Sequence, residues 1–209
     1  MTETHGGTPV LYKAFPTPIA NIENFITEFE CDRILEELLK IPTTVHGTLI
    51  DGTSSHYVDR EEHMSPDPEV SAKIKHILGT DTFNDLDFYV NTFAVDYGVC
   101  HVDITDMWYN VQQKDSVLLE HSHPNSKVSG VIYLEVGDDP SPLYFRHPNP
   151  VMHFEKCNYH TEFNELFGRF NATKGDLIIF PSWLEHGSHG RKNGSKRRVA
   201  LSFNTKPND

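Results

Sequence analysis

Cysteine is scarce in this chain. Three residues of 209, Cys31, Cys100 and Cys157, stand without any C-x-x-C spacing, so neither a disulfide framework nor a cysteine-built zinc site is available. All three are expected as ordinary buried thiols. Long apolar runs are also missing: none approaches the roughly 18 residues of a membrane span. The opening, MTETHGGTPVLYKAF, has neither the charged nor the apolar region of a signal peptide. Positive charge is in deficit, with 18 Lys and Arg against 30 Asp and Glu and a net charge of -12, which repels phosphate backbones and anionic bilayers. The expectation is a cytoplasmic protein with no nucleic-acid and no membrane partner. What the chain does have is histidine, thirteen in all, eight of them between residues 101 and 189.

No repeat, low-complexity tract or linker divides the sequence, so residues 1–209 are read as one domain, 1–100 a helical and loop-rich support and 101–209 the core. Thr27 and Glu30 form a capping box, and Phe29, Ile34, Leu35, Leu38 and Leu39 recur at helical spacing until Pro42. Residues 43–66, rich in Gly, Ser, Asp and His, read as a long loop able to cover a site and its substrate. Asp67 and Pro68 open a second helix through Val70, Ile74, Ile77 and Leu78, closed at Gly79. A third runs from Asp81 to Gly98 on Phe83, Leu86, Val90, Phe93 and Tyr97. From residue 100 the pattern changes to short β-rich runs: 102–112, 117–123, 127–134, 143–146, 176–180 and 198–204. Six such runs predict an α+β protein whose core is a β-sandwich or jelly roll, with the N-terminal helices packed on one sheet. A homodimer would cover exposed sheet edges.

Two segments carry chemistry. In Glu120-His121-Ser122-His123-Pro124, alternation along a strand would aim His121 and His123 at one point, while Glu120 faces away. Gly175 to His186 is a strand and turn that delivers a third imidazole. Three ligands with positions left open describe a catalytic metal site better than a closed structural one. Twelve residues on, Arg198 starts a strand whose alternation groups Arg198, Ala200, Ser202 and Asn204 on one face. A guanidinium in a barrel mouth is costly unless it meets an anion, and its fork suits a carboxylate. Ser129 and Tyr133 share a face on the neighbouring run and can offer hydroxyls to that anion, with Ser202 and Asn204 expected nearby.

These motifs resemble the iron(II)- and 2-oxoglutarate-dependent oxygenases, whose double-stranded β-helix carries H-x-[DE]…H and a downstream Arg. The likeness is greatest to a bacterial and phage group of that superfamily, marked by W-x-N, H-x-H-P-N-S-x-x-S-G-x-x-Y-L, G-D-L-x-x-F-P-S-x-L-x-H and R-x-x-x-S-F-N. Here these are Trp108 and Asn110, His121 to Leu134, Gly175 to His186, and Arg198 to Asn204. The resemblance implies a cupin-like double-stranded β-helix, Fe(II) on His121 and His186, and Arg198 on the far carboxylate of 2-oxoglutarate, with Tyr133 and Ser129 near that carboxylate. Asn110 and Trp108 would line the site. O2 is the implied oxidant, and the substrate a small molecule or a protein side chain.

Position 123 departs from the superfamily pattern, because His stands where Asp or Glu is expected. His123 can bind the metal as a third imidazole, it can hold a water or substrate, or a carboxylate such as Glu120 can take its place; the spacing favours three histidines. Alternative readings are a cupin-type three-His dioxygenase that uses no 2-oxoglutarate and a non-catalytic metal-binding jelly roll. Gly175 to His186 nearly fits the second cupin motif, with Trp183 replacing a Gly, but the Glu that cupins carry after H-x-H is missing. Two decoys are set aside: His101-Val102-Asp103 precedes the Trp108 strand, and the basic residues at 191–192 and 196–198 read as a solvated hairpin. His147, His153, His160 and His189 read as loop residues, with His189 near enough to the distal ligand to reach substrate.

Overall fold

The computed structural model describes residues 15–56 and 67–208, apart from 155, 157, 160, 162, 163 and 172. Its elements run β1 (Ala20–Ile22), α1 (Glu28–Leu38), β2 (Thr44–His46), β3 (Leu49–Ser54), α2 (Pro68–Leu78), α3 (Thr80–Tyr97), β4 (Val102–Leu118), β5 (Val128–Glu135), β6 (Leu143–Arg146), β7 (Phe167–Phe170), β8 (Leu177–Pro181), β9 (His186–Gly187) and β10 (Arg197–Pro207). The strands form a seven-stranded sheet ordered β1-β8-β5-β10-β4-β3-β2 and a three-stranded sheet ordered β7-β6-β9.

The helices form where the sequence predicts. Thr27 accepts from the Glu30 backbone N–H while the Glu30 carboxylate accepts from that of Thr27, closing the capping box. Asp67 caps α2 and Gly98, in the left-handed region at φ 86°, ends α3. The face α1 buries, however, is Cys31, Ile34, Leu35 and Leu38, while Phe29 is 79% exposed and Leu39 is exposed as well. Both fall off the stripe that meets the sheet.

Alternation along the large sheet separates two environments. Met107, Tyr109, Val111, Val128, Ile132, Leu134, Leu177, Ile179, Val199, Leu201 and Phe203 point one way and form a single core with α1, α2 and α3. The opposite face packs Val131, Tyr133, Ile178, Phe180 and Ala200 on Leu143 and Phe145 of the small sheet. Between the two sheets, beside that second core, a cavity opens. The helices therefore brace one face and leave the other for the site.

Three expectations need correcting. The runs 102–112 and 117–123 are one strand up to Leu118, with Asp115 at φ 69° taking up the irregularity, and the chain leaves regular β structure before the histidine motif. Residues 44–54 are not loop but the hairpin β2–β3, which β4 recruits as the sheet's edge; residues 57–66 of that segment lie outside the described residues. Cys31 is buried, its thiol pushed up to about 11 by desolvation, but Cys100 is exposed just after α3; Cys157 lies outside the described residues. Strands β1, β7 and β9 add edges that two to four residues of sequence pattern do not announce. Among the described residues no helix is long and apolar enough to cross a membrane.

Candidate active site

The site is assembled where β4 and β9 end. His121 and His186 exchange backbone hydrogen bonds, N–H to O at 2.9 Å in each direction, as a single antiparallel bridge, and the His123 N–H donates to the Ser182 carbonyl at 2.8 Å. The H-x-H pair thus owes its convergence to these three bonds and not to a regular strand. Gly187 makes the bridge possible: a Cβ there would stand 2.9 Å from the Leu118 carbonyl oxygen and from Leu119, closer than side chains tolerate.

One ligand atom from each of His121, His123 and His186 lies within 4.8 Å of the others. Nδ1 of His121 donates to the Leu119 carbonyl and Nδ1 of His186 to the Leu184 carbonyl, both at 2.8 Å. A proton held on Nδ1 leaves Nε2 as a free lone pair, the state a metal requires. Burial lowers all three pKa values, that of His123 to about 3, and the neighbouring imidazoles lower those of His123 and His186 further. All three rings are neutral at physiological pH, and no acid stands among them. This donor set fits a divalent ion of the imidazole-binding class. Glu120 faces away as predicted, its carboxylate accepting from Arg146 at 3.0 Å and from His189 at 2.8 Å.

The cavity has a volume of about 1690 Å³ and is lined on the sheet side by Asp106, Trp108, Asn110, Gln112, Ser129, Tyr133, Arg198, Ser202 and Asn204. Every sheet residue expected at the site from the sequence faces it. Deep within it, Arg198 is 6% exposed, lies with its guanidinium 4.8 Å from the centre of the Tyr133 ring, and donates through Nη1 to the Gln112 Oε1. No acidic side chain pairs with it among the described residues. Arg198 Nε, the Tyr133 hydroxyl and Gln112 Nε2 are all buried without a hydrogen-bond partner. Burial raises the Tyr133 pKa and the Arg198 cation pulls against it, so the phenol is held as a donor. A buried cation with unmatched donors around it is a cradle for an anion.

Gln112 was not singled out in the sequence; its in-register pairing with Arg198 across β4 and β10 is the missing signal. Ser129 and Asn204 do not join this cradle. Four residues along β5 separate Ser129 from Tyr133, roughly 13 Å at strand rise, and the Ser129 hydroxyl instead bonds Asn204 Oδ1 and Ser182 Oγ, each at 2.7 Å. Ser202 is half-buried between the two ends. Trp108 lies between His123 and His56, with ring centres 5.8 and 4.6 Å away. The hairpin residues His46, Gly47, Thr48 and Leu49 and the nearby His56 complete the wall, so the part of segment 43–66 that is described does adjoin the histidines.

The decoys resolve as well. His101 is exposed against Asn91. Arg191, Lys192 and Arg197 pair with Asp139, Asp115 and Glu135. His189, at φ 48°, stacks on Phe167 with ring centres 3.8 Å apart and turns to Glu120 rather than to the cavity.

A helix-backed pair of antiparallel sheets with a histidine cluster and a buried arginine between them is the double-stranded β-helix architecture of the 2-oxoglutarate oxygenases. An oxidoreductase of the 2OG-Fe(II) oxygenase family from Burkholderia pseudomallei shares the fold at a TM-score of 0.61 and 17% identity, over 90% of this chain and 84% of that one. HygX from Streptomyces hygroscopicus, with nickel and 2-oxoglutarate bound, gives 0.58 and 14% over 91% and 83%, and a prolyl-4-hydroxylase from Pseudomonas putida 0.58 and 11% over 92% and 94%. Residues 106–204, the stretch that carries every motif residue above, match the family described as "Putative 2OG-Fe(II) oxygenase". No curated protein matches the chain by sequence.

Proposed function

We propose that the chain is an Fe(II)- and 2-oxoglutarate-dependent dioxygenase that couples oxidative decarboxylation of 2-oxoglutarate to hydroxylation of a C–H bond in a small molecule or a protein side chain. The observation that carries this is the Arg198 cradle: a buried guanidinium without an acid, ringed by the unpartnered Tyr133 hydroxyl and Gln112 amide, in the same cavity as three neutral imidazoles. His121, His123 and His186 would hold the iron. Held there, it would supply the O2 activation by which 2-oxoglutarate is converted to succinate and CO2, with one oxygen atom passing to the substrate.

The chain's own residues set the geometry. Arg198 takes the distal carboxylate through paired N–H donors, and Tyr133 donates its phenol proton to the same group. Trp108 and Phe180 flank the imidazoles and keep bulk water from the reacting end. Asn110, Ser202 and the β2–β3 hairpin line the remaining wall, where the substrate enters.

The test is anaerobic: Fe(II) followed by 2-oxoglutarate is added to the purified protein, and the visible charge-transfer band of a chelated 2-oxoglutarate is sought. The band should form, and should vanish in Arg198→Ala and in His186→Ala. A second reading draws on the all-nitrogen ligand set, which also suits a cupin-type three-His dioxygenase. Iron uptake without any band, and without an effect of Arg198→Ala, would favour it.

A further inference from the structure

Two of the three histidines have their tautomer set by the backbone, and the third does not. The Leu119 and Leu184 carbonyls hold the proton of His121 and His186 on Nδ1. For His123 the group facing Nδ1 is the Asn204 side-chain amide, 3.4 Å away through Nδ2. We propose that Asn204 is the positioning residue that makes His123 a metal ligand, by presenting its amide oxygen to the His123 Nδ1–H. This rests on reading the three-His cluster as the metal centre.

The chemistry follows from which end of the amide faces the ring. An Nδ2 that donates to Nδ1 obliges a neutral imidazole to carry its proton on Nε2, and a protonated Nε2 has no lone pair for a metal. Rotating the amide by 180° places Oδ1 against Nδ1–H and frees Nε2. The surroundings accept either orientation. Asn204 Oδ1 now takes a hydrogen bond from the Ser129 hydroxyl, which in turn shares a 2.7 Å hydrogen bond with Ser182. Once the amide is turned, Asn204 Nδ2 donates to Ser129 Oγ and the Ser129 hydroxyl donates to Ser182, because a hydroxyl both gives and accepts. Each bond of the relay is kept in both arrangements with its direction reversed, and His123 is metal-competent in one of them only.

The rest of the local structure holds this relay in place. Ser129, Ser182 and Asn204 are all buried. The β10 register shifts between Asn204 and Thr205, and the Thr205 hydroxyl pins the shift by accepting from the Val128 N–H at 3.0 Å and donating to the Val128 carbonyl at 2.9 Å. A fixed backbone leaves the amide one degree of freedom, its flip. The His123 N–H bond to the Ser182 carbonyl ties the ring to the same serine that ends the relay.

The test measures Co(II) affinity by visible absorption and the imidazole nitrogens by ¹⁵N NMR, on the full chain. In native protein His123 should show Nδ1–H and a bare Nε2. Asn204→Leu should lower Co(II) affinity about 10- to 100-fold, as loss of an outer-shell partner does, should move the His123 proton to Nε2, and should add nothing in a His123→Ala background. Asn204→Asp, which can only accept, should bind Co(II) at least as tightly as native. Native-like affinity in Asn204→Leu, an Asn204→Asp that falls as far as Asn204→Leu, or independent losses in the double variant would each overturn the proposal. Failure of the metal-centre reading is separate: native protein that takes up no Co(II), or a His121→Ala variant that binds like native, would remove that reading whatever Asn204 does.

Discussion

If Arg198 is kept buried for an anion, removing it should cost ligand binding and leave the metal-free fold near native stability or above it. The perturbation is Arg198→Met together with Gln112→Leu, two substitutions of similar length that leave no acceptor stranded. A buried charge without an ionic partner carries a desolvation penalty, and replacing such groups by apolar side chains is typically neutral to stabilising by about 1–4 kcal/mol. Against that stands the Tyr133 ring contact at 4.8 Å, a cation–π interaction worth about 1–2 kcal/mol when desolvated. The difference leaves the double variant between about 2 kcal/mol less and about 3 kcal/mol more stable than native. At roughly 2–4 °C per kcal/mol for a chain of this size, the melting temperature falls by no more than about 8 °C and rises by up to about 12 °C. The single Arg198→Met gains less, since Gln112 Oε1 then loses its partner at about 1–3 kcal/mol.

Thermal melts of the metal-free protein read the first half, and melts of the Zn(II)-loaded protein with and without 2-oxoglutarate read the second. A ligand at a hundred times its Kd stabilises native protein by about 2.7 kcal/mol; both variants should lose that shift. The reasoning is refuted by a double variant more than about 2 kcal/mol less stable than native, which would make Arg198 a structural residue, or by one that keeps the full 2-oxoglutarate shift.

Other perturbations read different parts of the site. Tyr133→Phe removes a buried hydroxyl that has no partner, so calorimetry should find metal-free stability within about 1 kcal/mol of native and 2-oxoglutarate binding about tenfold weaker. Gly187→Ala drives a methyl against the Leu118 carbonyl and should cost about 1–3 kcal/mol in a denaturant titration, with weaker metal binding because the His121–His186 bridge must open. For pH, His56 and His123 are held near 3 in the fold against about 6.5 unfolded. The unfolded chain therefore binds the extra protons, and metal-free stability should fall as pH drops from about 6.5 toward 3, each group contributing at most about 1.4 kcal/mol per pH unit and less where cavity water screens it. Flat stability over that window, followed by urea unfolding, would contradict the burial of these rings.

The H-x-H pair, the distal His186 and Arg198 were legible because chemistry restricts them to few residue types at fixed offsets; strand alternation put Tyr133 and Ser202 on one face with them, and the family resemblance added Trp108 and Asn110. Helix limits were legible from Thr27, Asp67 and Gly98, since caps act within one turn. The hairpin β2–β3 was not: its strands have three and six residues and too little pattern of their own, and they become strands because β4 offers an unpaired edge. Gln112 stayed hidden for a related reason, as nothing local marks it until register sets it opposite Arg198.

The sequence by itself determined the candidate ligand types, the three helices and the two-faced strands of the core, because side-chain chemistry and periodicity are local properties of the chain. Tertiary structure decided what distance decides. It carried His121 and His123 past the end of β4 and held them by backbone bonds to β9 and the Ser182 turn. It separated Ser129 and Asn204 from the arginine and gave them to His123. It also left Arg198 buried with no acid beside it, which no linear pattern can state, since the absence of a partner is a property of the space around a residue.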